Sequence, residues 1–335
     1  MKFRKKLSLS LMLIVMCFAV LAGCGGDSAA VKVKIGEVTR SVFYAPEYVA
    51  LSQNFFKDEG LDVELQTIPG GDKTMTALLS GAIDVALVGS ETSIYVYQQG
   101  ADDPVINFAQ LTQRDGTFLF ARTPDSNFSW DKVKGSTFLG QRQGGMPQMA
   151  GAFTLLNKGI DTAKDLTLIQ NIDFANIAGA FASGTGDYVQ LFEPQASIFE
   201  SEGRGQVVAS FGVESGYLPY TVFMSKESYI SKNNDTVQKF TNAIQRAQLW
   251  VKDHSAEEIA DAVMLYFDKT DRNIVVSAIS RYKEQDTYAL NPVIDDKEWN
   301  NLLDVIDNAG ELKERVPSGK IVNNTFAEKA ESSIK

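Results

Sequence analysis

From Val31 to Gln98 the chain alternates short strand-patterned runs with helix-patterned ones, and from Thr137 to Phe211 it does so again. Repeated β-α-β order restricts a chain to open, largely parallel sheets with helices on their faces, because parallel neighbours need a long crossover and a helix supplies it. In the first stretch Val33 and Ile35 alternate with polar neighbours between Val31 and Val38. The loop Thr39 to Ala45 follows, and Pro46 opens a helix marked by Tyr48, Leu51 and Phe55 and stopped at Gly60. Leu61 to Leu65 alternates as a strand, Pro69 to Asp72 is a loop, and Lys73 to Leu79 is a helix. Asp84 to Val88 is an apolar run suited to a buried parallel strand, and Ser90 is placed to cap the next helix.

Ile106 to Gln110 and Thr117 to Ala121 read as strands leaving the first unit. The second unit has strands at Thr137 to Gly140, Leu166 to Gln170, Tyr188 to Phe192 and Val207 to Phe211, with helices opened by Pro147 and Pro194. Pro219 to Met224 is a strand leading back. The units echo each other: Ser80-Gly81-Ala82-Ile83-Asp84-Val85 matches Ser183-Gly184-Thr185-Gly186-Asp187-Tyr188, and each following strand delivers a glutamate, Glu91 or Glu193, beside a helix start. From Lys226 the pattern is helical. Asp235 with Gln238 and Ser255 with Glu258 are spaced as capping boxes, and Val237, Phe240, Ile244, Ala247 and Val251 form an apolar stripe expected to pack on the first lobe.

The N-terminus stands apart from this pattern. Lys2, Arg4, Lys5 and Lys6 precede an apolar run, Leu7 to Val20, too short for a membrane span and built like a secretory leader. Leu21-Ala22-Gly23-Cys24 resembles the lipobox of bacterial lipoproteins, which implies cleavage before Cys24, a diacylglyceryl anchor on its thiol, and a tether over residues 24–30. Cys17 falls in the removed segment, so the mature body keeps no thiol for a disulfide. Cleavage removes four basic residues and no acidic one, taking the net charge from −10 to −14. So acidic a body is ill suited to nucleic acid, and it is held off an anionic membrane unless a lipid anchors it.

Catalytic chemistry has few carriers. The one histidine, His254, sits before the Ser255 cap, where a helix C-terminus favours a solvated cation. No histidine–cysteine cluster is spaced for zinc, and the nucleophile-elbow, phosphate-loop and dinucleotide fingerprints are missing. Neither a metal nor a cofactor is expected.

Ligands of open α/β sheets bind beyond the carboxyl ends of the strands. That rule selects the loops Thr39 to Ala45, Gly70 to Lys73, Gly89 to Glu91, Gln143 to Met146 and Phe192 to Pro194. Within them Tyr44 can stack on a ring while Phe43 points to the core, Ser90, Glu91 and Glu193 offer polar groups, and Gly144, Gly145 and Met146 form either a backbone donor loop or a plain turn. Gln113 and Arg114 interrupt two apolar strands, as ligand contacts or turn residues, and Phe174 opens a loop at the cleft or hinge. Tyr95 and Tyr97 lie within a helix and are assigned to packing.

The run from Tyr48 to Glu64, YVALSQNFFKDEGLDVE, together with Pro69-Gly70-Gly71 and Ala77 to Ala86, resembles the substrate-binding proteins of ABC importers for nitrate, sulfonates, taurine and thiamine pyrimidine precursors. The resemblance spans residues 31–225. It implies a two-lobed periplasmic-binding-protein fold (type II) with two crossover strands, lobe I from residues 31–120 and 222–335 and lobe II from 121–221. It also implies a monomeric, non-enzymatic carrier on the outer face of the cell membrane that serves permease and ATPase subunits. Glu91 and Glu193 fit an amino-pyrimidine, a thiamine precursor or similar nitrogen heterocycle, better than an anion. A sulfonate, taurine or nitrate would instead use Arg114 and the Gly144-Gly145 loop. A pyrimidine-synthesising enzyme of the same superfamily would need an active-site histidine and a cofactor lysine.

Overall fold

The computed structural model describes residues 30–335. The expected leader with Cys17, the expected lipid site Cys24 and the expected tether up to residue 29 lie outside the described residues. Ten strands form two five-stranded mixed sheets. β1 (Val31–Glu37), β2 (Leu61–Thr67), β3 (Val85–Gly89), β4 (Val105–Thr112) and β10 (Thr221–Lys226) make the first, in the order β2-β1-β3-β10-β4. β5 (Thr117–Ala121), β6 (Thr137–Leu139), β7 (Thr167–Ile169), β8 (Tyr188–Phe192) and β9 (Gln206–Ser210) make the second, in the order β7-β6-β8-β5-β9.

The sequence echo becomes a structural one. β1 and β3 run parallel, as do β6 and β8. Asp84 closes the first pair by accepting from the Lys34 backbone N–H at 2.9 Å, and Asp187 does the same to Thr137 at 2.8 Å. Gly81 and Gly184 end the preceding helices at φ 77° and 104°, values that disfavour a side chain. Each sheet is then completed by an antiparallel strand from the far side of a crossing: β10 beside β3, and β5 beside β8. β3 is apolar because it is an interior strand, with β1 and β10 on its edges and helix Gly71–Ser80 packed against it.

Sheet membership draws the first crossing earlier than residues 120–121. β5 belongs wholly to the second sheet, so the chain crosses at 113–116 and returns at 216–220. The two crossing segments bond to each other, Leu218 N to Gln113 O and Tyr220 N to Thr112 O, both at 3.1 Å.

Local expectations fared unevenly. The helix opened by Pro46 ends at Ser52, and a separate turn of helix, Phe55–Asp58, starts after Asn54, which takes the left-handed conformation at φ 61°. The Ser255–Glu258 capping box forms, but the Asp235–Gln238 one does not: Asn233 takes the cap position, and Gln238 bonds Asn242 and the Phe326 carbonyl. The stripe Val237, Phe240, Ile244, Ala247 and Val251 is buried, and its helix, Asn234–Asp253, packs on helix Ala45–Ser52 and β4. The tail also reaches further than the first sheet's helices. Helix Arg272–Glu284 touches helix Gln195–Ser201, and helix Asp296–Asn308 touches helix Met146–Asn157. No helix among the described residues is long and apolar enough to cross a membrane.

Candidate ligand cleft

The strand-end loops of the two sheets meet at a cleft of about 130 Å³. Tyr44, Gly70 to Asp72, Glu91 and Tyr95 line it from the first sheet's side, and Gln141, Arg142, Gly144 to Pro147, Phe174 and Phe192 from the second's. Tyr220 and Thr221, from the returning segment, also line it. A neighbouring recess of about 230 Å³ shares Thr39, Gln141, Phe174 and Phe192 with it and continues toward Glu193. Five of the lining residues are aromatic, Tyr44, Tyr95, Phe174, Phe192 and Tyr220. Phe43, fully buried, sits at 5.4 Å from both Tyr44 and Phe192, and Phe174 meets Phe192 edge-on at 6.0 Å. Flat hydrophobic walls of this kind favour a planar ligand.

Glu91 is the charge set among them. It opens helix Glu91–Gln98 straight after β3, so its carboxylate lies at a helix N-terminus, where negative charge is favoured. One oxygen, Oε1, accepts from the Met146 backbone N–H at 3.1 Å, across to the second sheet. The other, Oε2, has no hydrogen-bond partner although the residue is only 4% exposed. Burial pushes the carboxyl up to about 7, with its own and the Met146 backbone N–H pulling part of the way back. Gly89 is required beneath it, since a Cβ there would overlap Glu91 Oε2. An unpartnered buried carboxylate oxygen is costly, and it marks a place for a donor from outside the protein.

The cation available to the cleft is already paired: Arg142 bonds Asp72 at 2.9 Å, also across the two sheets. Tyr95 makes a third bridge, its hydroxyl donating to the Gly144 carbonyl at 3.1 Å. The loop before Pro147 is self-satisfied. Gly144 N–H donates to Gln148 Oε1 at 3.1 Å, Gly145 N–H to the Arg142 carbonyl at 3.4 Å, and Met146 N–H to Glu91. Its glycines keep a turn, Gly144 at φ 80°, and its N–H groups are engaged within the protein.

Of the residues selected from sequence, Tyr44, Glu91, Gly144, Gly145, Met146 and Phe174 come together at the cleft. Ser90, Gln113 and Arg114 do not; all three hold the crossing segments. Ser90 is not a helix cap, and its hydroxyl donates to the Pro219 carbonyl. Gln113 Nε2 donates to the Asp286 carbonyl at 3.1 Å. Arg114 lies 3.8 Å over the Tyr217 ring and donates to the Gly212 carbonyl at 3.1 Å. Ser90 serves a carbonyl of the returning segment, while Gln113 and Arg114, themselves in the outgoing one, tie it to carbonyls of neighbouring elements, since backbone carbonyls outside a ladder need such donors. Glu193 lines the neighbouring recess, but its carboxylate is consumed. Oε1 pairs with Arg281 and accepts from the Ser197 hydroxyl, and Oε2 accepts from the Ser197 N–H at 2.9 Å. Burial still pushes its carboxyl up, opposed by Arg281.

Tyr95 and Gln141 are cleft residues that the sequence reading missed. Tyr95 stands four residues after Glu91 on one helix, the spacing that puts two side chains on one face. Gln141 stands two residues past the end of β6, inside the strand-end rule though ahead of the loop chosen. His254 is no cleft residue; it ends helix Asn234–Asp253 and stacks on Trp250 with ring centroids 3.7 Å apart. Among the described residues no three histidine, cysteine or acidic side chains are grouped to hold a metal ion.

The model of the NMT1-like family matches residues 26–265. The chain belongs to the NMT1-like family. A protein of Bacillus subtilis (strain 168), named "Putative binding protein YtlA", is 59% identical over 319 residues, 95% of each chain. Among solved structures, the ligand-binding component of an ABC-type import system from Staphylococcus aureus, with zinc bound, is similar at a TM-score of 0.71, with 14% identity and 90% of this chain and 99% of that one covered. The alkanesulfonate-binding protein SsuA of Xanthomonas axonopodis pv. citri, bound to MOPS, is similar at 0.69, with 15% identity and 88% and 99% covered. At such identities these structures establish the fold, the two-lobed one expected of periplasmic binding proteins. The Bacillus subtilis relative bears the name of a binding protein, in line with the expectation of a carrier.

Proposed function

We propose that this NMT1-like protein is an exported solute-binding lipoprotein, held to the outer face of the cell membrane through a lipid on Cys24, that delivers a small nitrogen heterocycle to the permease and ATPase of an ABC importer. A thiamine pyrimidine precursor is the type of ligand that fits best. The observation that carries the reading is the free Oε2 of Glu91 in an aromatic-walled cleft between two sheets. An amino-heterocycle supplies both of the missing partners: an N–H for the carboxylate, and a flat ring for Tyr44 and its neighbours. Each lobe is built on one sheet, and three bridges join their rims: Glu91 to Met146, Tyr95 to Gly144 and Asp72 to Arg142. A ligand bound to both sides shifts the lobes toward this closed arrangement, and the importer receives the loaded form.

One observation favours a second reading. The fold is shared with an alkanesulfonate-binding protein. A sulfonate would have to draw Arg142 from Asp72 and take N–H donors already engaged within the loop, and it would sit beside an unneutralised Glu91. The test is a thermal-shift panel of amino-pyrimidines, thiamine, taurine, alkanesulfonates and nitrate. A ligand at about 100 times its Kd adds about 2.7 kcal/mol to stability. A shift from amino-pyrimidines alone supports the heterocycle; a shift from a sulfonate alone moves the site to Arg142 and removes Glu91 from it.

A further inference from the structure

We propose that Gln141 is the second recognition residue of the cleft, taking one N–H of a ligand whose other N–H goes to Glu91, so that the ligand class is amino-substituted or amidine-like heterocycles with at least two N–H donors. This rests on the nitrogen-heterocycle reading and narrows it.

Gln141 stands two residues past the end of β6, at the carboxyl end of an interior strand of the second sheet, as Glu91 stands two residues past the end of β3 in the first. Its side chain lines both the cleft and the adjoining recess, and it is 4% exposed. The amide nitrogen donates to the Gln190 carbonyl at 2.7 Å. That bond settles which end of the amide is which, because the reverse orientation would set two carbonyl oxygens against each other. Gln190 is itself held, its amide nitrogen bonding the Thr117 hydroxyl and the Pro147 carbonyl at 2.7 Å each. Gln141 Oε1 is the end of the amide left over, and it has no hydrogen bond, although it is buried. A buried amide oxygen left open in this way costs as much as a lost hydrogen bond.

Two residues lining the cleft, Glu91 and Gln141, one from each sheet, thus carry a buried acceptor without a partner, Oε2 and Oε1, and the hydroxyl of Tyr220, from the returning segment, is unpartnered as well. Acceptors call for donors, and two acceptors on opposite sides call for a ligand with donors on more than one edge. A primary amino group on a ring, with its two diverging N–H bonds, or the N–C–N group of an amidine carries such a set; the sulfonate group and nitrate carry none. Binding would then join the two sheets through the ligand, adding to the three bridges already at the rim.

The test is isothermal titration of the full chain, wild type and Gln141→Ala, with 4-amino-5-hydroxymethyl-2-methylpyrimidine and with the same compound methylated once on its amino nitrogen. The wild type is expected to bind the methylated compound at least ten-fold more weakly, since one N–H is gone. In Gln141→Ala the unmodified compound should lose about ten-fold, an order of magnitude typical of an acceptor lost from a buried site, and methylation should then cost little. Melting curves of the variant establish that it is folded, and the comparison of the two compounds on the wild type needs no variant. Equal affinity of wild type and Gln141→Ala for the amino compound overturns the role of Gln141 and leaves the heterocycle reading standing. Tight binding of taurine with no binding of either pyrimidine overturns both.

Discussion

The corners after β3 and after β8 begin alike and end differently. Each has a glycine-ended helix, an aspartate clamped on the neighbouring strand, an apolar strand and a glutamate at its carboxyl end. Glu91 keeps an oxygen free in the cleft, whereas Glu193 spends both of its oxygens on Arg281 and Ser197. The difference originates far away in sequence. Helix Arg272–Glu284 from the C-terminal tail packs against helix Gln195–Ser201 and brings Arg281 onto the second corner, where it also pairs with Glu200 at 2.7 Å. Among the described residues no cation pairs with Glu91 at the first corner. One copy of a repeated corner is therefore structural and the other is left open for a ligand.

The comparison breaks first at Arg281. Replacing it by methionine leaves Glu193, whose side chain is fully buried, without its counter-charge, and removing one partner of a buried pair costs about 3 kcal/mol. Denaturant unfolding should register that loss, with ligand affinity in the folded protein little changed. Glu91→Gln is the mirror experiment. It should lower affinity for an amino-pyrimidine by about 10- to 100-fold, the usual weight of a charged hydrogen bond, and leave stability equal or higher. If Glu193→Gln weakened the ligand and Glu91→Gln did not, the assignment of the two corners would be reversed.

A pH titration of stability sharpens the same contrast. Burial raises Glu91 from 4.5 to about 7 and the buried Asp115, in the crossing segment, from 3.8 to about 7. A raised carboxyl binds its proton more tightly folded than unfolded, so folding loses stability as pH climbs from the unfolded value to the folded one. The free protein should weaken between pH 4.5 and 7, and Glu91→Gln or Asp115→Asn should each flatten part of that slope. An unchanged slope in both variants would place the titration elsewhere. The smallest expected effect is from Tyr95→Phe, which removes one neutral bridge to Gly144. A loss of affinity of a few-fold, seen by titration with the amino-pyrimidine, is the expectation.

Much of the fold was legible in the chain. Strand and helix periods gave the two α/β units, and the Gly-Asp echo marked two corners that prove equivalent. The strand-end rule chose loops that meet at the cleft. What stayed hidden depended on long-range geometry. Thr117 to Ala121 has the same local pattern in either sheet, and only the antiparallel partners on both its sides decide its place. Arg114 and Gln113 look like ligand contacts until the unladdered carbonyls that they serve are known. Glu193 looks equivalent to Glu91 until Arg281 arrives, 88 residues later. Tyr95 and Gln141 were within reach, the first by its four-residue spacing from Glu91 and the second by its place just past the end of β6.

The most direct test of the central claim is a titration of the wild-type protein and of Glu91→Gln with one amino-pyrimidine and one alkanesulfonate. The account predicts that the wild type binds the amino-pyrimidine, that the variant loses most of that affinity, and that the sulfonate binds neither protein well. Tight binding of the sulfonate by the wild type, undiminished in Glu91→Gln, would contradict it.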